Sequence, residues 1–160
     1  MNIHNNLSEH NCVALDTGIF AYALNGRKQG DKEEVDNPIK EIFTMIENGE
    51  ISAVTSTLTI SEILTNPLLK GNYDVEKSIK FYLQHFPNLT IAPITSEVAV
   101  RAAHIEVEYN IESRDALFIA TAIINGADII VDRWNKLPDI KEIKHYSIEG
   151  HVLRDIKGAE

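Results

Sequence analysis

The side chains best placed to do chemistry in this sequence are carboxylates. Asp16 follows the apolar run Cys12-Val13-Ala14-Leu15, and Asp132 follows Ile129-Ile130-Val131. Each reads as the residue closing a buried strand. Glu62 falls near the first turn of a helix after a further strand candidate, and Asp115 stands just past Ser113, ahead of the apolar stretch Ala116 to Ile124. In open parallel sheets ligands bind beyond the carboxyl ends of the strands, so acids this far apart in sequence can converge. Asp115 and Asp132 are both delivered to the edge of an apolar layer, where an unpaired carboxylate is costly. Two such charges 4 Å apart repel by ~1 kcal/mol in water and ~4 kcal/mol at an effective dielectric near 20. A divalent cation is the natural compensation, and clustered carboxylates with water suit magnesium or manganese better than zinc. Each acid also has a plain structural reading. Asp16 can cap the next helix, Glu62 can be a solvated helix residue, Asp115 can offset a helix macrodipole, and Asp132 can open a turn.

The elements that must carry these acids are legible as alternating short apolar runs and amphipathic stretches. Strand candidates are Cys12 to Leu15, Ile51 to Thr55, Leu89 to Ala92, Asp128 to Val131 and Ile143 to Tyr146. Between them, Ile19 to Leu24 reads as a short helix and Gly26 to Asn37 as a charged loop. Asn37 is expected to cap a helix with Pro38 in its first turn and a stripe at Ile39, Ile42, Phe43 and Ile46. Further helices are expected over Leu58 to Leu64, punctuated by Pro67 and Gly71, and over Val75 to Phe86 and Val98 to Tyr109. The last is the body Ala116 to Ile124, capped by Ser113 and apolar nearly all round, hence buried on more than one side. Strands alternating with helices predict an α/β fold with a mainly parallel sheet and right-handed crossovers. Residues 1–10, polar and rich in Asn and His, read as a loose N-terminal arm, and residues 11–160 as a single domain.

Composition removes several classes. The chain has 160 residues and a net charge of −9, so it does not hold nucleic acid by bulk basicity. Action on nucleic acid through bound metal ions remains open. A single cysteine excludes an intrachain disulfide and a zinc ribbon. No apolar run reaches the ~18 residues of a membrane span, and the N-terminus lacks the basic and apolar regions of a signal peptide, so a cytoplasmic location is expected. The histidines form no His-x-x-x-His pair, and no Gly-x-x-x-x-Gly-Lys loop is present. A phosphatase built on a strand-end Asp nucleophile needs a second Asp where Gly18 stands.

Taken in order, Val13-Ala14-Leu15-Asp16-Thr17, Thr59-Ile60-Ser61-Glu62-Ile63-Leu64, Arg114 to Ala122 and Asn125 to Arg133 resemble the PIN-domain nucleases, which include the VapC-type toxin ribonucleases of toxin–antitoxin pairs. The resemblance runs from about residue 12 to 146. It implies a three-layer α/β/α fold with a central five-stranded sheet ordered 3-2-1-4-5, which sets Asp16 beside Asp132. It implies a ribonuclease dependent on magnesium or manganese, with the family's acidic positions falling on Asp16, Glu62, Asp115 and Asp132 and its hydroxyl on Thr17. On that basis Asp16 is the central ligand, Asp115 and Asp132 ligate directly or through water, and Glu62 holds the attacking water. RNA is the implied substrate, and an antitoxin protein and a second copy of the chain are the implied partners. One departure stands out: Ile130-Val131 replace the Thr-Asn that members commonly carry before the fourth acid. Polar side chains there orient ligands, and their loss either lowers activity or leaves Asp132 peripheral.

Around these acids, Arg114, Arg133 and Lys136 flank the site in sequence, and Arg27 and Lys28 follow the first helix. They read as phosphate contacts or as ordinary solvated charge. Trp134 reads as a base-stacking ring or as a packing residue against Leu137. The rival to the nuclease reading is a catalytically weak or inactive PIN fold serving as an interaction module.

Overall fold

The computed structural model describes residues 3–25, 33–134, 136–149 and 152–154. Strands β1 (Cys12–Leu15), β2 (Ser52–Ser56), β3 (Leu89–Ala92), β4 (Ile129–Asp132) and β5 (Lys144–Ser147) form a parallel sheet in the order 3-2-1-4-5. The expected topology is therefore present. β6 (Val152–Arg154) adds an antiparallel edge strand, pairing His145 with Arg154 and Ser147 with Val152. The connection from β5 to β6 is too short for a crossover, so only a hairpin is available to it.

Helices cover both faces. On one side lie α1 (Ile3–Leu7), α2 (Thr17–Asn25), α3 (Glu33–Glu47), α4 (Thr57–Leu69) and α5 (Tyr73–His85). On the other lie α6 (Ser96–Tyr109) and α7 (Ser113–Ile124). The strands alternate between the two cores. Val13, Leu15, Ile129 and Val131 pack with the first group, and Ala14, Val54 and Ile130 with the second. No helix among the described residues is long and apolar enough to cross a membrane.

Several boundaries differ from expectation for identifiable reasons. The loose arm is corrected: Ile3 and Leu7, four apart and so on one helix face, are buried in the first core. Helix α3 begins at Glu33, upstream of the expected Asn37 cap, with Pro38 inside it. Pro67 is likewise inside α4 and buried, and the helix runs on to Leu69. Both helices continue past the proline despite the hydrogen bond it forfeits, and Pro67 itself is buried. Ser113 is not the cap of α7. Glu112 takes that position without a side-chain bond, and the Ser113 hydroxyl donates to Glu106 Oε2 at 2.7 Å, tying α7 to α6. Part of the expected Gly26–Asn37 loop, with Arg27 and Lys28, lies outside the described residues.

Candidate active site

Register places the first and last acids together. Leu15 pairs with Val131, and the Asp16 N–H donates to the Val131 carbonyl at 3.2 Å. By the alternation of the sheet, Asp16 and Asp132 follow Ala14 and Ile130 onto the face covered by α7. Asp115, in the first turn of α7, approaches the same edge, while Glu62 comes from α4. Asp16, Thr17, Glu62, Arg114 and Asp115 line one narrow cleft, with Thr59, Phe118 and Leu137 among its walls.

Asp16 serves its structural reading as well, since its Oδ1 accepts from the Ile19 N–H at 3.1 Å and caps α2. Burial first, and the charge of Asp132 second, push its carboxyl up to about 7, against the opposing pull of the Ile19 and Gly18 N–H groups and Arg114. Asp115 is also raised by burial. Arg114 works against that shift, whereas Glu112, Glu62 and Asp132 add to it. The negative charge gathered at this edge is thus incompletely compensated by the protein itself.

Glu62 is held from two sides. The Thr17 hydroxyl donates to its Oε2, and Arg114 Nε lies 3.0 Å from its Oε1. The same guanidinium nitrogen stands 3.6 Å from Asp115, so Arg114 lies between the two acids while its side chain remains 58% exposed. Behind Thr17 a run of hydroxyls continues inward. Thr17 Oγ1 stands 3.3 Å from that of Thr59, Thr59 meets Thr55 at 2.9 Å, and Thr55 donates to the Leu15 carbonyl at 2.9 Å. Sequence reasoning missed Thr55 and Thr59, although the polar run Thr55-Ser56-Thr57 at the end of an apolar strand was a usable signal.

Asp132 does not line the cleft; it is 2% exposed and faces His145 of β5, whose Nε2 lies 3.2 Å from its Oδ1. Its Oδ2 accepts from the Lys136 N–H at 3.3 Å. His145 is 2% exposed, and among the described residues its ring nitrogens make no well-aligned hydrogen bond. The imidazole meets Asp132 by proximity alone. With Ile130-Val131 preceding it, Asp132 takes its orientation from the neighbouring strand, a partner no local motif announced. Among the described residues no group of His, Cys, Asp and Glu side chains is gathered closely enough to grip one ion. Arg114 between Glu62 and Asp115, and the pairing of Asp132 with His145, account for that spacing.

The basic residues divide. Arg114 is on the rim, and Lys136 is exposed with its ammonium 5.6 Å from the Trp134 ring. Arg133 faces inward instead of onto a phosphate. It is 8% exposed, lies 4.9 Å from the rings of both Tyr22 and Trp134, and pairs with Glu149 at 3.2 Å. A wider groove of about 820 Å³ opens between α3 and α5, lined by Phe43, Phe81, Tyr82 and Phe86; it lies apart from the carboxylates.

A family model described as PIN domain matches residues 13–134. No curated protein matches the chain. Among solved structures, VapBC2 from Rickettsia felis bound to a promoter DNA fragment is similar at a TM-score of 0.66 and 15% identity, over 85% of this chain and 98% of that one. A toxin–antitoxin complex from Klebsiella pneumoniae is similar at 0.57 and 21% identity, over 78% and 88%. Mycobacterium tuberculosis VapC20, described as a sarcin–ricin loop cleaving toxin, is similar at 0.56 and 14% identity, over 74% and 86%. At these identities the likeness is one of fold.

Proposed function

The chain belongs to the PIN domain family, and from that premise we propose that it is a divalent-metal-dependent endoribonuclease acting as the toxin of a toxin–antitoxin pair. The observation that carries the reading is the cleft in which Asp16, Glu62 and Asp115 meet beside the strand-end Asp132, with the Asp16 carboxyl raised to about 7. The donor set fits magnesium or manganese. It consists of carboxylate and hydroxyl oxygens, and its uncompensated negative charge is what such an ion relieves.

In the mechanism we infer, Asp16, Asp115 and Asp132 are the residues that would hold the ion, which would supply charge neutralisation at the phosphoryl oxygens and a lowered pKa for water. Glu62, fixed by Thr17 and Arg114, positions the attacking water and takes its proton. Arg114 swings from Glu62 to the phosphate, its long side chain already largely in solvent. Water adds to phosphorus as the bond to the 3′ oxygen breaks, and that oxygen takes a proton from solvent, leaving 5′-phosphate and 3′-hydroxyl ends. The toxin role and an antitoxin partner are supported by the toxin–antitoxin complexes among the similar folds. A homodimer is supported by the exposed rings of Tyr73 and Phe81 on α5.

The test is cleavage of a mixed RNA pool by purified protein with magnesium or manganese. Asp16→Asn, Asp115→Asn and EDTA should each abolish it, and equal cleavage by Asp16→Asn and wild type would end the mechanism. The pairing of Asp132 with His145 and the placement of Arg114 favour a second reading, an inactive PIN fold used for interaction. Purified folded protein that cleaves no RNA with either metal would select it.

A further inference from the structure

The position of Trp134 goes beyond the chemistry of the cleft. The ring follows Asp132 closely in the chain and lies against Gly18, just past Asp16. A Cβ on Gly18 would fall 2.5 Å from Cζ3 of the indole, closer than any carbon pair tolerates. The absent side chain at Gly18 is therefore what lets the ring reach the head of α2. From within, the ring is backed by the Arg133 guanidinium, itself held by Tyr22 and Glu149. A tryptophan serving only as filler would be covered like Phe20 or Tyr146; this one is 43% exposed. Its support on the Arg133 side is buried, while the ring itself is in contact with solvent.

The surroundings specify the ligand's chemistry. In a chain of net charge −9, Lys136 carries its ammonium to the indole, and Arg114 stands on the rim of the carboxylate cleft. A rigid π-surface beside cations next to a carboxylate site suits a ligand with a flat face and a phosphate, which describes a nucleotide. We propose that Trp134 is a stacking platform for one nucleobase of a single-stranded RNA whose backbone crosses the carboxylate cleft. The inference rests on the ribonuclease reading and adds to it a specificity-determining contact. A duplex hides its base faces, so the platform selects single strands or looped-out bases.

Trp134 is the only tryptophan of the chain, so emission excited at the red edge, where tyrosine does not absorb, reports on this ring alone. The full chain carrying Asp16→Asn, which prevents cleavage, is titrated with a fluorescein-labelled single-stranded RNA, following anisotropy and tryptophan emission together. Quenching that saturates with binding is expected. Trp134→Ala should weaken binding by about 10-fold, and Trp134→Phe by much less, because one stacked base contributes on that scale. A series of RNAs, each with one abasic position, should show one position that removes the quenching and the same share of affinity. Binding by anisotropy without quenching, or abasic RNAs that all bind as well as the intact strand, would overturn the platform. The nuclease reading would survive that result, since cleavage by the wild type is measured separately. The abasic series needs no tryptophan variant, so it decides the matter even if Trp134→Ala does not fold.

Discussion

Asp16 carries the sharpest consequence for solution behaviour. Its carboxyl ionises near 3.8 when unfolded and at about 7 in the native protein. Between those values the native state binds more protons, so metal-free stability must fall as pH rises from about 4 to 7 and then level off. Asp115, raised for the same first reason, pulls in the same direction. Asp16→Asn should therefore be more stable than wild type at pH 8, with the advantage disappearing towards pH 4; urea midpoints at the two pH values measure this. Wild type matching the variant at pH 8 would contradict the buried charge. At the neighbouring acid the expectation reverses. Asp132 and His145 are both buried and face each other, so His145→Leu sets an apolar side chain against the carboxylate in place of a polar one, at a cost of about 2 kcal/mol in equilibrium unfolding. For cleavage, Asp132→Asn should be less damaging than Asp16→Asn, because the Asp132 oxygens already answer to His145 and the Lys136 N–H. Equal losses would place Asp132 among the direct ligands.

The elements show where a helix end can be improved. α7 starts behind Glu112, whose side chain makes no cap bond. Glu112→Ser should stabilise the protein by about 1 kcal/mol, raising the melting temperature. Because Glu112 helps to raise Asp115, the same change should lower that carboxyl's pKa, measurable by NMR titration. The strands and their order were readable because each core strand is a short apolar run bounded by turn residues, and because the acid-bearing segments fall in family order. β6 was not readable: its three residues, Val152–Arg154, have no apolar alternation of their own and pair only because β5 is already there. The helix through Pro38 was started too late by reading that proline as a first-turn residue behind an Asn37 cap, and the helix through Pro67 was ended too early by reading proline as punctuation. In the site, the acids were visible by type and position. The carboxylate–imidazole contact, the hydroxyl run through Thr55 and Thr59, and the inward turn of Arg133 depend on side chains meeting across elements, for which one sequence holds no spacing rule.

For the molecule as a whole, binding of magnesium or manganese should raise the melting temperature of wild type by mass action and leave Asp16→Asn unmoved. Identical shifts in the two proteins would count against the site. Light scattering at micromolar concentration should give a dimer, reduced to monomer by Phe81→Glu on the exposed face of α5; a monomeric wild type would remove that assembly. The two halves of the cleft come from opposite ends of the chain: the backbone of Cys12 is bound by Asp128, 116 residues downstream, and β1 finds its second neighbour only in β4. On a ribosome that has translated only as far as β3, Asp16 and Glu62 have been made without Asp115 or Asp132. On the ribonuclease reading proposed above, the nascent chain would hold only two of its four acids until α7 and β4 are made, a delay set by chain connectivity alone.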